Sequence, residues 1–273
     1  MSELTRKAVA AADHGASAPV WQRLRFEARA AAEEEQTLST FLNATVLNHD
    51  NLTSALCYHL AQKAAGPDMN ALQIREICEH AHEDDVRLVQ AAERDMQAVL
   101  ERDPACRTLL QPFLFFKGFL ALQTHRIAHW LWSQDRDVLA FFFQSRTSEL
   151  YGVDIHPAAP MGSGIMIDHA TGVVIGETAR VGDDCSLLHG VTLGGSGNEY
   201  TERHPKIGRG VLIGAGAKVL GNITVGDEAR IGASSVVTKD VPARCTVAGV
   251  PAKPIGGACC EPARTMDQRF DAY

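Results

Sequence analysis

The 273-residue chain has no surplus of positive charge, no long apolar run and no paired-cysteine motif, and each absence excludes a class of function. Twenty-six Lys and Arg against thirty-three Asp and Glu give a formal charge of -7, without the basic footprint that phosphate-backbone binding requires. Nucleic acid is therefore not an expected partner. The most apolar stretches, 112–116 and 138–143, fall well short of the roughly 20 residues of a spanning helix, so no membrane association is expected. Residues 1–18 scatter Glu3, Arg6, Lys7 and Asp13 among alanines and lack the apolar core of a secretory signal, which makes the cytoplasm the expected compartment. The seven cysteines are odd in number and contain no C-x-x-C pair. They read as reduced, mostly buried thiols rather than a zinc or disulfide framework, with Cys259 and Cys260 on an exposed tail.

Aromatics are scarce after residue 151 and glycines are scarce before it. Fourteen of the 17 aromatics lie at or before Tyr151, and 20 of the 23 glycines lie at or after Gly152. Opposite enrichments of this kind mean two kinds of core. The first part reads as helices: Ser17 and Pro19 open a segment running to about 35, and helical patterns follow at 38–47, 51–65, 71–82, 85–101, 112–134 and 137–150. The second part has a six-residue period. Ile155, Met161 and Ile167 begin it; after a two-residue slip Ile175, Val181, Leu187 and Leu193 continue; Ile207, Ile213, Val219, Val225, Ile231 and Val237 resume.

Only a coil with flat sides about one hexapeptide long returns the same side chain to the interior every six residues, and three sides close one turn of a parallel β-helix. Small residues four positions later, such as Ala159, Thr171, Ala179, Ala217, Ala229 and Ser235, suit tight corners, and a narrow prism has no room for rings. The fourteen-residue step from Leu193 to Ile207, with Gly194, Gly195, Tyr200 and the run Glu202-Arg203-His204-Pro205, reads as a loop thrown out of the coil for a functional purpose. The expected fold is α+β: an all-helical N-terminal domain over 1–150, a left-handed parallel β-helix over 151–257 with one protruding loop, and a C-terminal tail over 258–273.

The stretches Arg102-Asp103-Pro104-Ala105, Asp154-Ile155-His156-Pro157-Ala158-Ala159, Asp168-His169-Ala170-Thr171-Gly172, Val191-Thr192-Leu193-Gly194-Gly195 and Arg203-His204-Pro205-Lys206-Ile207, following a helical half of this length, resemble the serine acetyltransferases, a branch of the hexapeptide-repeat acyltransferases. The resemblance covers about 20–270 and implies transfer of acetyl from acetyl-CoA to L-serine, without metal, as the first step of cysteine synthesis from serine.

The residues' own chemistry agrees with it. A neutral hydroxyl is a poor nucleophile at pH 7 and needs a base; His169 is the candidate, and Asp154, fifteen residues earlier and just under one coil away, is the candidate orienter. An amino-acid substrate wants an opposite charge for each of its ions. By resemblance Asp103 and Asp168 hold the ammonium, Arg203 holds the carboxylate, and His204 is a second active-site histidine. A backbone N–H of Gly194 or Gly195 would face the oxyanion, and Ala215, Ala233 and Lys253 would line the CoA path.

The resemblance also implies a homotrimer with acyl-CoA between adjacent prisms, joined as a dimer of trimers through the helical half, and inhibition by L-cysteine at the serine pocket. A complex with O-acetylserine sulfhydrylase is put in doubt, because Met266-Asp267-Gln268-Arg269-Phe270 is like the start of the family's tail but the chain ends at Tyr273 rather than Ile. Two other functions fit a β-helix: acetyl transfer to a sugar or antibiotic hydroxyl, and a zinc enzyme of the gamma carbonic anhydrase kind, for which the spacing of His169, His189 and His204 is a poor match. His125 and His129 read as helix packing, and His80 and His82 as solvated surface.

Overall fold

The computed structural model describes residues 19–197, 200–256 and 261–268. Ser17, Cys259 and Cys260 lie outside them. The chain divides into two compact units, 1–116 and 117–273.

In the first unit α1 (Val20–Glu34) is followed by a short 3-10, α and π succession over 36–47, whose α turn is α2 (Ser39–Leu42). The 38–47 pattern is thus helical but not one regular helix. Then come α3 (Leu52–Ala64), α4 (Ala71–Asp84), α5 (Arg87–Arg102) and α6 (Leu110–Leu114). Asn51 caps α3 by accepting from Ser54 N–H, and Asn70 and Gln73 close a reciprocal capping box on α4. Leu24, Leu56, Ile74, Met96 and Phe113 form the core. Glu27 is buried, and desolvation raises its pKa; it accepts from Arg23 at 2.9 Å and from the Leu110 backbone N–H at 3.0 Å, satisfying a free donor at the start of α6. His82 corrects the sequence reading: it is 8% exposed, with Nδ1 2.8 Å from the Cys78 carbonyl oxygen and 3.6 Å from the Cys57 sulfur. Cys57, Cys78, Cys106 and Cys185 are buried thiols, as their small apolar character suggests.

The second unit opens with α7 (Lys117–Ser133) and α8 (Asp137–Tyr151). The expected single helix over 112–134 is two helices, α6 and α7, with Phe115 non-helical between them. Gly118 lets α7 approach strand β2 (Met166–Asp168): a Cβ there would lie 2.0 Å from the Ile167 carbonyl oxygen. His125 and His129 tie α7 to the first coil through the carbonyls of Ala159 and Pro157, at 3.0 and 2.7 Å, and their rings stack at 6.1 Å. The packing role read from the sequence is the observed one.

Gly152, in the left-handed region at φ 65°, ends α8 and turns the chain into a left-handed parallel β-helix. Its three sides are stacked sheets. The first holds β1 (Val153–Ile155), β3 (Val173–Ile175), β6 (Thr192–Gly194), β9 (Lys218–Leu220) and β12 (Val236–Val237). The second holds β4 (Arg180–Val181), β7 (Lys206–Ile207) and β10 (Thr224–Val225). The third holds β2, β5 (Ser186–Leu188), β8 (Leu212–Ile213), β11 (Arg230–Ile231) and β13 (Thr246–Gly249), closed by the antiparallel β14 (Ala252–Gly256).

Registers such as Ile167↔Leu187↔Ile213↔Ile231 stack each six-residue aliphatic on its successor. Twelve of the thirteen are buried, Met161 being half-buried. Each removes a side chain worth about 1.5–3 kcal/mol from water. After the coil, α9 (Pro262–Thr265) lies against the third sheet: buried Ser186 donates to the Ala263 carbonyl at 2.8 Å, and Arg230 donates to that of Asp267 at 2.9 Å.

Candidate active site

The two-residue slip of the hexad period lies at one corner of the prism. Between β5 and β6, three residues turn the chain from the third sheet to the first; between β2 and β3 there are four, and Ile167 to Ile175 is eight residues rather than six. The enlarged corner begins with His169 and Ala170, both non-glycine residues in the left-handed region at φ 54° and 58°. Such conformations persist only where the surroundings enforce them, and they concentrate at functional sites. The imidazole of His169 is exposed, with Nε2 3.6 Å from Asp168 Oδ2 and its ring 5.8 Å, edge-on, from that of His189. Lys117 donates to Thr171 in the same corner.

Later coils continue this edge. Gly190 N–H donates to the Thr171 carbonyl, Gly216 N–H to that of His189, and Ser234 N–H to that of Ala215. Asp168, His169, His189, Ala215 and Ala233 therefore occupy one edge of the prism, where the third sheet meets the first. Lys253 lies beyond its far end, exposed in the β13–β14 hairpin.

The other charged candidates occupy a different edge, where the first sheet meets the second. The protruding loop leaves β6 at Gly194 and returns at Arg203 and His204 onto the corner 176–179. The Thr178 hydroxyl accepts from the backbone N–H groups of Arg203 and His204, both at 3.1 Å. Arg203 pairs with Glu177, whose carboxyl is held below its ordinary range by that guanidinium. The His204 ring is buried over Gly176, where a Cβ would lie 2.0 Å from Nε2, and a Cβ on Gly195 would lie 3.5 Å from the same atom. Burial first, then the charge of Arg203, holds the His204 pKa below the usual histidine range.

Asp154 lies between the two edges, on the first sheet opposite Val174. Its carboxylate accepts from Gln144 of α8 at 2.6 Å, beside an open cleft of about 510 Å³ lined by Phe141, Gln144, Ser145, Ser148, Glu149 and Asp154. No hydrogen bond among the described residues joins it to His169. Desolvation lowers the pKa of nearby His156, opposed by the charges of Glu177 and Asp154. Asp103 follows α5 in the first unit, where its carboxylate accepts from the Ala105 N–H at 2.8 Å across Pro104. Among the described residues no group of three His, Cys, Asp or Glu is arranged to hold a metal.

The geometry thus joins His169 to Asp168 and His189, and Arg203 to His204 and Gly195, and separates these two sets by one side of the prism. The three-residue strand β3 alone extends about 10 Å at 3.3 Å per residue. Glu177 and Thr178 belong to no site motif of the sequence. Their only sequence signal is their place at a hexad corner level with the loop. His189, whose spacing is a poor match to a zinc ligand, is the ring neighbour of His169.

A hexapeptide coil presenting an exposed histidine at an enlarged corner, with small residues stacked along the same edge, defines an acyltransferase of the hexapeptide-repeat class. The family described as "Bacterial transferase hexapeptide (six repeats)" matches residues 204–239, and "Serine acetyltransferase, N-terminal" matches residues 20–124. A serine acetyltransferase of Salmonella typhimurium is 53% identical over 92% of this chain and 93% of its own. A solved serine acetyltransferase in complex with cysteine is 50% identical with a TM-score of 0.91, covering 92% of this chain and 98% of its own. That of Brucella abortus in complex with coenzyme A is 49% identical with a TM-score of 0.87, covering 89% and 97%. The chain belongs to the serine acetyltransferase family, enzymes that take their acetyl group from acetyl-CoA.

Proposed function

We propose that this chain acetylates the hydroxyl of L-serine at a site built from two subunits, one giving the His169 edge and the next giving the Arg203 and His204 edge. The separation of these two half-sites on one prism carries the reading, because the exposed His169 stands on one edge and the Arg203 fork for the substrate carboxylate on the other. A cyclic trimer of prisms apposes unlike edges around its axis. Two such trimers joined through the helical half complete the hexamer implied by the family. The cytoplasm is the proposed compartment; no helix among the described residues is long and apolar enough to cross a membrane.

In this reading acetyl-CoA lies along the edge of Ala215 and Ala233, whose small side chains admit a slender arm, with Lys253 towards its phosphates. The serine ammonium meets Asp168 and its carboxylate meets Arg203, while Asp103 is the second ammonium partner that the family resemblance implies. His169 removes the hydroxyl proton as the serine oxygen bonds to the thioester carbon. The tetrahedral oxyanion is met by backbone N–H of the Gly194 and Gly195 turn. The C–S bond then breaks, and His169 returns its proton to the departing CoA sulfur. Asp154, which stands on the first sheet and accepts from Gln144, is the proposed orienter of His169. L-Cysteine, which has the same ammonium and carboxylate with a thiol for the hydroxyl, competes for this pocket.

The test is a thiol-release assay with acetyl-CoA and L-serine, D-serine or a galactoside. His169→Ala is expected to lose at least about a hundredfold in turnover with L-serine, in line with general-base contributions. Unchanged turnover, or preference for the sugar, would overturn the reading.

A further inference from the structure

The Thr178 hydroxyl has one proton to give and two lone pairs to receive with. Both lone pairs are used, by the N–H groups of Arg203 and His204 at 3.1 Å. Its proton is therefore directed to the remaining neighbour, His204 Nδ1, at 2.9 Å. The Thr178 backbone N–H, which can only donate, points at the same nitrogen at 3.3 Å. Two donors converging on Nδ1 require a lone pair there, so the ring proton of neutral His204 resides on Nε2.

We infer that Thr178 is a positioning residue that locks His204 as a neutral imidazole with its proton on Nε2, making it a fixed hydrogen-bond donor to an anionic oxygen of the substrate rather than a second base. Two further contacts and one open position agree. Lys206 donates to the Thr178 carbonyl and anchors the same corner. Gly176 admits the ring over the backbone, as no other residue could without displacing it. Nε2 engages no hydrogen-bond partner among the described residues. A protonated Nδ1 would face two donors, which adds to the burial and the Arg203 charge that already disfavour the imidazolium. The groups facing this ring are Glu177, Arg203, Lys206 and His156, and only Glu177 favours the charged form among them and the ring's own burial. The role of the donor rests on the serine acetyltransferase reading of the site; the tautomer does not.

The experiment separates the two. Protein labelled with 15N-histidine is examined by long-range 1H–15N correlation at pH 7, with His204→Gln identifying the His204 signals. A protonated Nε2 and an unprotonated Nδ1 are expected. Thr178→Ser should keep that pattern, and Thr178→Val should lose it and mix the tautomers. An Nδ1–H or doubly protonated ring in the unsubstituted protein overturns the lock, and an unaltered pattern in Thr178→Val with an intact fold by circular dichroism, where only the backbone N–H at 3.3 Å still faces Nδ1, overturns the part assigned to the Thr178 hydroxyl. In the acetyl-transfer assay, Thr178→Val should lower kcat/KM for L-serine about 10–100-fold while KM for acetyl-CoA moves less than about threefold, as expected for losing one or two oriented hydrogen bonds. Thr178→Ser should stay within about threefold. His204→Gln, which keeps an N–H donor near the Nε2 position, should retain more activity than His204→Ala. A confirmed tautomer with serine kinetics indifferent to both Thr178→Val and His204→Ala would leave the lock standing and overturn the donor role.

Discussion

If each site draws His169 from one chain and His204 from the next, two inactive variants should restore one another. His169→Ala retains an intact second edge, and His204→Ala retains an intact first edge. When the two are mixed one to one and assembled at random around a closed ring, a seam works only if its first chain has His169 and its second has His204. Each condition is met with probability one half, so about one quarter of the seams are intact. The expected turnover is about 25% of the unsubstituted enzyme, against about 1% or less for His169→Ala alone and about 1–10% for His204→Ala alone, the loss of an oriented hydrogen bond. Co-expression with two different affinity tags, followed by sequential purification, isolates mixed oligomers, and thiol release from acetyl-CoA reads their activity.

A companion mixture sharpens the arithmetic. Unsubstituted chain mixed one to one with the His169→Ala, His204→Ala double variant should retain about one quarter of full activity if sites are shared, and about one half if each chain is self-sufficient. Mixed oligomers of the two single variants with no activity above either parent, at confirmed one-to-one composition, would refute the shared site.

Gly176→Ala should displace the His204 ring, since the added Cβ would lie 2.0 Å from its Nε2, and should lower kcat/KM for serine more than tenfold in a protein whose circular dichroism is unchanged. Leu187→Ala, which empties a fully buried rung between Ile167 and Ile213, should destabilise the coil by about 3 kcal/mol in denaturant unfolding. Burial lowers the pKa of His125 to about 3 and of His59 to about 4. The unfolded chain therefore binds protons at these two positions below about pH 6.5 while the folded chain does not, and stability should fall with pH from there toward 4, by about 1.4 kcal/mol per pH unit per group. Thermal midpoints measured across that window check it. His125→Gln, which keeps a donor for the Ala159 carbonyl, should make the fall shallower.

The sequence by itself determined the division of the chain's chemistry and the coil. The aliphatic period from Ile155 to Val237 admits no other economical burial, because a six-residue return matches neither a helix nor an alternating strand. It also carried the site's vocabulary: His169 at the slip, Arg203 and His204 in the loop, and small residues at 215 and 233. Nothing in that order of residues says which corner each occupies. Tertiary structure alone decided that His169 keeps company with His189 while His204 stands one prism side away, since the corner depends on the count of residues modulo a full coil and on where a loop is inserted. The stacking of coils likewise brought Thr178 beneath His204, 26 residues on, and α7 onto β2 at Gly118. Hydrogen bonds between successive turns are long-range in the chain and short only in space, so a linear pattern can name the participants, and only the folded prism can say which of them meet.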